Sequence, residues 1–254
     1  MAKKEYHIRC GRGDVAEIVL LPGDPARAKM ISEFFDKCKE VAKNREFWTF
    51  TGVVDGVPIT VTSTGIGCPS TAIAVEELAR CGAKILIRVG TSGGLQRWIE
   101  IGDLVIATAA VRDEGTSKQY IPAEYPAVAD IDVVLALKEA AERLGYRYHL
   151  GIIHSKDAFY MESPELVPNY EEVKRKWSVW IRAGVLATEM ESSTIFTLAA
   201  LRGLKAGTVL AVIGSTVKEE LVVDERKGIK EAIKTAIEAA KILGKRRKFV
   251  KPFK

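Results

Sequence analysis

The stretch Lys84-Ile85-Leu86-Ile87-Arg88-Val89-Gly90-Thr91-Ser92-Gly93-Gly94 sits about a third of the way along the chain. Its first part is short, aliphatic and partly β-branched, which predicts a strand buried on both faces, running into a glycine-rich turn over 90–94. Strands of that kind belong to parallel or mixed sheets covered by helices, so the stretch points to an α/β protein. Arg88 is the anomaly. An uncompensated cation inside an apolar strand is costly, so Arg88 calls for an anion, either an internal carboxylate or a bound one. The hydroxyls and backbone N–H groups of the turn would add donors. The stretch is not a Walker loop, because the GK[ST] ending is absent, and no GxGxxG opens a helix after it.

Working outward, other apolar runs alternate with helical patterns. Glu17 to Leu21 reads as a strand ended by Pro22-Gly23, and a helix opens at Asp24 or Pro25 and runs through Phe35. Phe47 to Val53 and Val57 to Ser63 form a hairpin around Asp55-Gly56. Further helices are predicted over Pro69 to Cys81, Asp132 to Leu144, Glu171 to Arg182, Met190 to Leu201 and Arg226 to Leu243. Further strands are predicted over Gly102 to Val111, Arg147 to Ser155 and Thr208 to Gly214. Arg112 to Asp130 reads as a long irregular connection, of the kind that often carries function. No repeat and no linker divides the chain, so residues 1–254 read as one domain, with 244–254 as a basic tail.

Composition agrees. The 254 residues are 47% hydrophobic and 28% charged, ordinary for a soluble globular protein and incompatible with bulk disorder. No apolar run approaches the ~20 residues that span a bilayer. The lysines at the N-terminus precede no apolar stretch, so no secretory signal is read there and a cytoplasmic location is expected. The net charge of +5 is concentrated at the end, where Lys241 to Lys254 carries basic residues and no acid. Such a tail can bind nucleic acid, but a solvated helix end is the simpler reading. Abundant Lys and Glu with scarce Gln lean towards a thermophile. Cys10, Cys38, Cys68 and Cys81 show no CxxC spacing and have no histidine at ligand spacing. They are therefore expected to be reduced core residues and not a zinc site.

Two more polar clusters accompany Arg88 at predicted strand ends, where α/β proteins bind ligands. Gly23-Asp24-Pro25-Ala26-Arg27 combines close backbone approach, a helix N-terminus and a guanidinium, which suit an anion. In Ala187-Thr188-Glu189-Met190-Glu191-Ser192, two carboxylates flank a methionine at a helix start. Acids favour that position anyway. Alternatively, a glutamate accepts the hydroxyls of a diol such as ribose while Met190 packs on an apolar ring face. A glycosidase acid pair is disfavoured at this spacing.

Taken in order, GDPAR, STGIG followed by PS (Ser63 to Ser70), RVGTSGG, EMES and a final helix resemble the nucleoside phosphorylase family, which includes uridine phosphorylases and hexameric purine nucleoside phosphorylases. The resemblance spans about His7 to Leu243. The middle segment, Val111 to Asp130, is most similar to the uridine branch. The resemblance implies a single α/β domain of the phosphorylase/hydrolase type, with a mixed central sheet, part of it closed into a barrel. It implies reversible phosphorolysis of a nucleoside, uridine first and purine nucleosides or methylthioadenosine as the alternative, in nucleoside catabolism and salvage. Inorganic phosphate would be co-substrate, with no cofactor.

Residue by residue, the resemblance implies that Gly23, Arg27, Arg88 and Thr91 hold phosphate and that Arg45 reaches the same phosphate from a neighbouring subunit. His7, also from the neighbour, would touch the ribose, and Glu191 would grip its hydroxyls over Met190. Arg27, Arg88 and Glu191 would carry the catalysis, and Phe159 would stack on the base. Glu46, Ile66 and Ser70 match positions that hold a monovalent cation such as potassium in some members. A homo-oligomer, a hexamer built as a trimer of dimers, follows, with no membrane or nucleic-acid partner. Base recognition departs from both branches. Ser163 and Glu165 stand for the Gln and Arg that read uracil, and Ser215 stands for the Asp that protonates a purine. Glu162 or Lys218 would have to compensate. A nucleosidase using water is the rival enzyme; a non-catalytic binder using the tail is the rival from another class.

Overall fold

In the computed structural model, which describes residues 3–162, 165, 167–215, 217, 224 and 226–247, strands and helices alternate along the chain. The strands are β1 (Ile18–Leu21), β2 (Lys37–Asn44), β3 (Phe47–Val54), β4 (Val57–Thr62), β5 (Ile85–Gly94), β6 (Leu104–Asp113), β7 (Ala127–Val128), β8 (Tyr148–Lys156), β9 (Ala187–Glu189) and β10 (Lys205–Ser215). The helices are α1 (Pro25–Ser32), α2 (Cys68–Cys81), α3 (Thr116–Tyr120), α4 (Ile131–Leu144), α5 (Tyr170–Arg182), α6 (Ser192–Leu201) and α7 (Ile229–Arg247), with a 3-10 turn over Phe159–Glu162.

One mixed sheet runs in the order β10-β6-β8-β9-β5-β1-β4-β3-β2, and a further β10–β5 pairing closes five of these strands into a barrel. This is the mixed, partly closed α/β architecture expected. Strand β5 is its hub, parallel to β1 and β10 and antiparallel to β9. Its aliphatic residues are buried because both faces are covered, as the continuous apolar run required. Helix α4 packs so closely on β10 that a Cβ at Gly207 would lie 2.4 Å from Val133 Cγ1.

Several sequence expectations need correction. The stretch 90–94 is not a turn: β5 continues through Gly94, paired residue by residue with β10 and then β9. Ser92 Oγ donates to the Ala211 carbonyl. Glycines were read as breakers, yet here they admit close neighbours within the sheet. Strand β2 had no sequence signal, because Lys37–Asn44 is a charged edge strand exposed along most of its length. The 112–130 connection is ordered by Arg112, which donates to Ser117 Oγ and to the carbonyls of Ile121 and Pro122. Helix α1 stops at Ser32, and α6 starts at Ser192, so Met190 and Glu191 precede it. Cys10, Cys68 and Cys81 are buried, but Cys38 lies exposed on β2. Burial pushes the Cys10 thiol up to about 11 and the Cys81 thiol up to about 12. No described helix is long and apolar enough to cross a membrane.

Candidate active site

Strand β9 meets β5 antiparallel at Thr188↔Gly93. The chain leaving β9 therefore runs back towards Arg88, and this delivers two carboxylates to one guanidinium. Arg88 Nε donates to Glu189 Oε2 at 2.8 Å, and Nη2 pairs with Glu191 Oε2. All three side chains are buried. A Cβ at Gly90 would lie 2.8 Å from Arg88 Cζ, so this glycine makes room for the guanidinium. The internal carboxylates thus answer part of the demand that Arg88 makes. Its Nη1 is also buried and has no acceptor among the described residues. Leaving such a donor unpaired costs about 1–3 kcal/mol or more.

The two carboxylates are not equivalent. Glu189 is held by Ser155 Oγ and by the backbone N–H groups of Glu191 and Ser192. Burial pushes its carboxyl up, but Arg88 and these donors outweigh burial and keep it below the usual range. Glu191 accepts from the Gly67 backbone N–H at 2.6 Å, in the loop between β4 and α2. Burial and the neighbouring Glu189 raise its carboxyl above the usual range against the pull of Arg88. Arg88 is raised, because Glu191 and Glu189 overcome its burial.

Arg27 lies in the first turn of α1, after Asp24, which caps the helix by accepting from the Ala26 N–H. Burial first, and then the charge of Arg88, lower its guanidinium, while Asp24 and Glu191 raise it. The two arginines therefore share one electrostatic environment. Gly23 packs on the next loop, where a Cβ would lie 3.2 Å from the Gly65 carbonyl oxygen. Thr91 is half-buried on β5, two residues beyond Val89, and Met190 is half-buried between the two glutamates.

On β8, which pairs with β9, stands a residue that sequence reading missed. Lys156 ends β8 and is buried. Its Nζ donates to Thr188 Oγ1 at 3.0 Å, pairs with Glu162 Oε1 at 2.6 Å, and lies 5.8 Å from the centroid of the Phe159 ring. The signal was available: a lysine ending an apolar strand is as costly as Arg88. Phe159 is exposed, and Glu162, expected with Lys218 as a residue that could compensate at the base, is paired with Lys156. Lys156 also walls a cavity of about 170 Å³, with His154, Met161 and Trp177 among its lining. Ser215 is buried at the end of β10. Ser163, Lys218 and the tail from residue 248 lie outside the described residues.

Arg45 belongs to the tight turn between β2 and β3, and His7 to the segment before β1. Arg45 is exposed, with a positive φ of 52°. The adjacent Asn44 donates to the His7 carbonyl at 2.7 Å, which ties the two segments together. The His7 ring is oriented by Glu77 Oε1, 2.7 Å from Nδ1. Among the described residues neither forms an ion pair or hydrogen bond with Arg27, Arg88 or Glu191. Ser70 Oγ donates to Glu46 Oε1 at 2.9 Å, and Ile66 is exposed on the loop beside them. Cys68, Glu114 and Asp157 each bring one ligand atom within a 4.8 Å group. Burial raises the Cys68 thiol, which donates to the Met190 carbonyl, and Glu114 is taken by Ser117 and Ser193. These contacts hold the loops together.

The family model described as the phosphorylase superfamily matches residues 17–246. A uridine phosphorylase of Thermococcus kodakarensis is 54% identical over 94% of this chain and 86% of its own length. A guanosine phosphorylase of Halorubrum lacusprofundi is 46% identical over 84% of this chain and 85% of its own. The crystal structure of uridine phosphorylase from Vibrio fischeri superposes with a TM-score of 0.84 at 36% identity, covering 96% of this chain and 98% of that one.

Proposed function

The chain belongs to the phosphorylase superfamily, and from that membership we propose that it is a nucleoside phosphorylase, a pentosyltransferase that reversibly converts uridine and phosphate to uracil and ribose 1-phosphate. The observation that carries the reading is the buried pair of Arg88 with Glu191, with half-buried Arg27 near enough for both charges to act on it. A phosphate dianion suits Arg27 and the buried, unpartnered Nη1 of Arg88, with Gly23 and Thr91 beside them. Glu191, harder to ionise than an ordinary carboxylate, takes the ribose hydroxyls, and Met190 lies under the sugar.

The chemistry follows from charge. As the C1′–N1 bond stretches, positive charge grows on the ribose ring and negative charge on the base. A phosphate oxygen held below C1′ attacks the ring carbon, and the arginines position it without solvent reorganisation. Glu191 fixes the sugar and favours the developing cation. Phe159 stacks on the base.

In this reading Arg45 and His7 complete a neighbour's pocket, supported by the hydrogen bond that joins their segments, with Arg45 exposed and His7 half-buried. A hexamer, a trimer of dimers, follows, in a cytoplasmic salvage role. The reading includes a monovalent cation at Glu46, Ile66 and Ser70, supported by the Ser70–Glu46 hydrogen bond. A second reading, a purine nucleoside as substrate, is favoured by the Halorubrum relative named a guanosine phosphorylase.

Base release from uridine, thymidine, inosine, adenosine and methylthioadenosine, each with and without phosphate, tests both. Phosphate-dependent release led by uridine is expected. Release undiminished in phosphate-free buffer would make the protein a nucleosidase instead.

A further inference from the structure

We infer that Lys156 is a base-contacting residue: its ammonium group donates to a carbonyl oxygen of the bound base and carries the negative charge that leaves with it. The inference deepens the phosphorylase reading and rests on it. Its origin is the position of a buried cation. Lys156 is 4% exposed, its Nζ lies 5.8 Å from the ring centroid of Phe159, the proposed base platform, and its charge acts on the carboxyl of Glu191, the proposed ribose clasp. An ammonium group has three N–H donors. Among the described residues two are used, on Thr188 Oγ1 at 3.0 Å and on Glu162 Oε1 at 2.6 Å. The third has no acceptor among the described residues and is left for the base.

A purely structural ion pair is the alternative. Glu162 would then staple the 3-10 turn to β8, and nothing in the reaction would need the charge. A buried pair is weak ground for stability by itself, because desolvation offsets most of the attraction. This pair is placed where the reaction needs a cation.

The step balances as follows. A phosphate oxygen of the monohydrogen dianion bonds to C1′ while the C1′–N1 bond breaks. The bonding pair leaves on N1 and spreads to the O2 and O4 oxygens of uracil. Lys156 stays protonated and hydrogen-bonds one of those oxygens. The base anion then takes a proton at N1, and that proton comes from the hydroxyl of the transferred phosphate. The same donor suits O6 of a 6-oxopurine. It opposes adenine, whose C6 amino group is itself a donor. The substrate class is therefore a nucleoside with an oxo base, and 6-aminopurine nucleosides are disfavoured.

The test compares wild type with Lys156→Met and Lys156→Gln on uridine and 5-fluorouridine, whose base leaves more readily. The Gln variant keeps hydrogen-bonding capacity without charge and serves if the Met variant fails to fold. Expected is a loss in kcat of about 100-fold on uridine and a loss at least about threefold smaller on 5-fluorouridine. The KM for phosphate should be unchanged, and Lys156→Arg should recover part of the activity. Equal losses on both nucleosides, or uridine turnover within about threefold of wild type, would overturn the inference and leave the phosphorylase reading standing. A wild-type protein that releases no base with phosphate present would overturn both.

Discussion

Replacing Arg88 by Met removes the charge that makes two buried carboxylates tolerable. Glu189 and Glu191 both bind that guanidinium, and all three side chains are at most 5% exposed. Breaking a buried pair by removing one partner costs about 3–5 kcal/mol, because the remaining charge is left in a poor solvent. Here two carboxylates are stranded side by side, so at least about 3 kcal/mol is expected at neutral pH. At roughly 2–4 °C per kcal/mol for a chain of this size, the melting temperature should fall by about 6 °C or more.

The pH dependence has a definite sign. Glu191 already lies above the usual carboxyl range through burial and Glu189, with Arg88 opposing them. Without Arg88 it rises further. A carboxyl raised on folding contributes stability below its unfolded pKa and loses it as pH rises through the folded one. The deficit of Arg88→Met should therefore be smallest in mild acid and grow towards neutral and alkaline pH. Adding Glu191→Gln should restore part of the loss, since the coupled pair is non-additive. Thermal melts monitored by circular dichroism between about pH 5 and pH 8 read all of this. A variant that melts within about 2 °C of wild type at neutral pH, or a deficit that is flat across pH, would refute the electrostatic account.

Gly90→Ala places a methyl 2.8 Å from Arg88 Cζ and from Leu210 Cδ2. It should displace the guanidinium and raise the KM for phosphate by about tenfold or more, as steady-state kinetics will show. Arg45→Ala should lower phosphate-dependent turnover although, among the described residues, Arg45 forms no hydrogen bond or ion pair with Arg27, Arg88 or Glu191. Co-refolding it with Arg88→Met should yield mixed oligomers that regain activity, because some pockets would draw Arg45 and Arg88 from different intact sources. A mixture no more active than its parts would count against a shared pocket.

The readings that succeeded came from strong local signals. The aliphatic run before Arg88, the Asp55-Gly56 hairpin, and the helices over 68–81, 131–144 and 170–182 all declare themselves through periodicity and capping residues. Arg88 itself was legible as a site residue because its cost is local: a cation in an apolar strand needs an answer wherever the strand lies. Failures came where pairing overrode local preference. The glycines at 90–94 look like a turn until β10 and β9 align on either side. Lys37–Asn44 looks like a loop until β3 recruits it as an edge. Lys156 escaped the sequence reading because its partners, Thr188 and Glu162, come from β9 and from the 3-10 turn.

By itself the order of residues determined which side chains are costly enough to require partners, and most of the segments that become strands or helices, since both depend on neighbours a few positions away. Which partner answers each cost was decided by closure of the sheet into a barrel. Only there does β9 turn back along β5 and bring Glu189 and Glu191, about a hundred positions away in the chain, onto Arg88. Long-range pairing of that kind depends on register between distant strands, and no local preference encodes it.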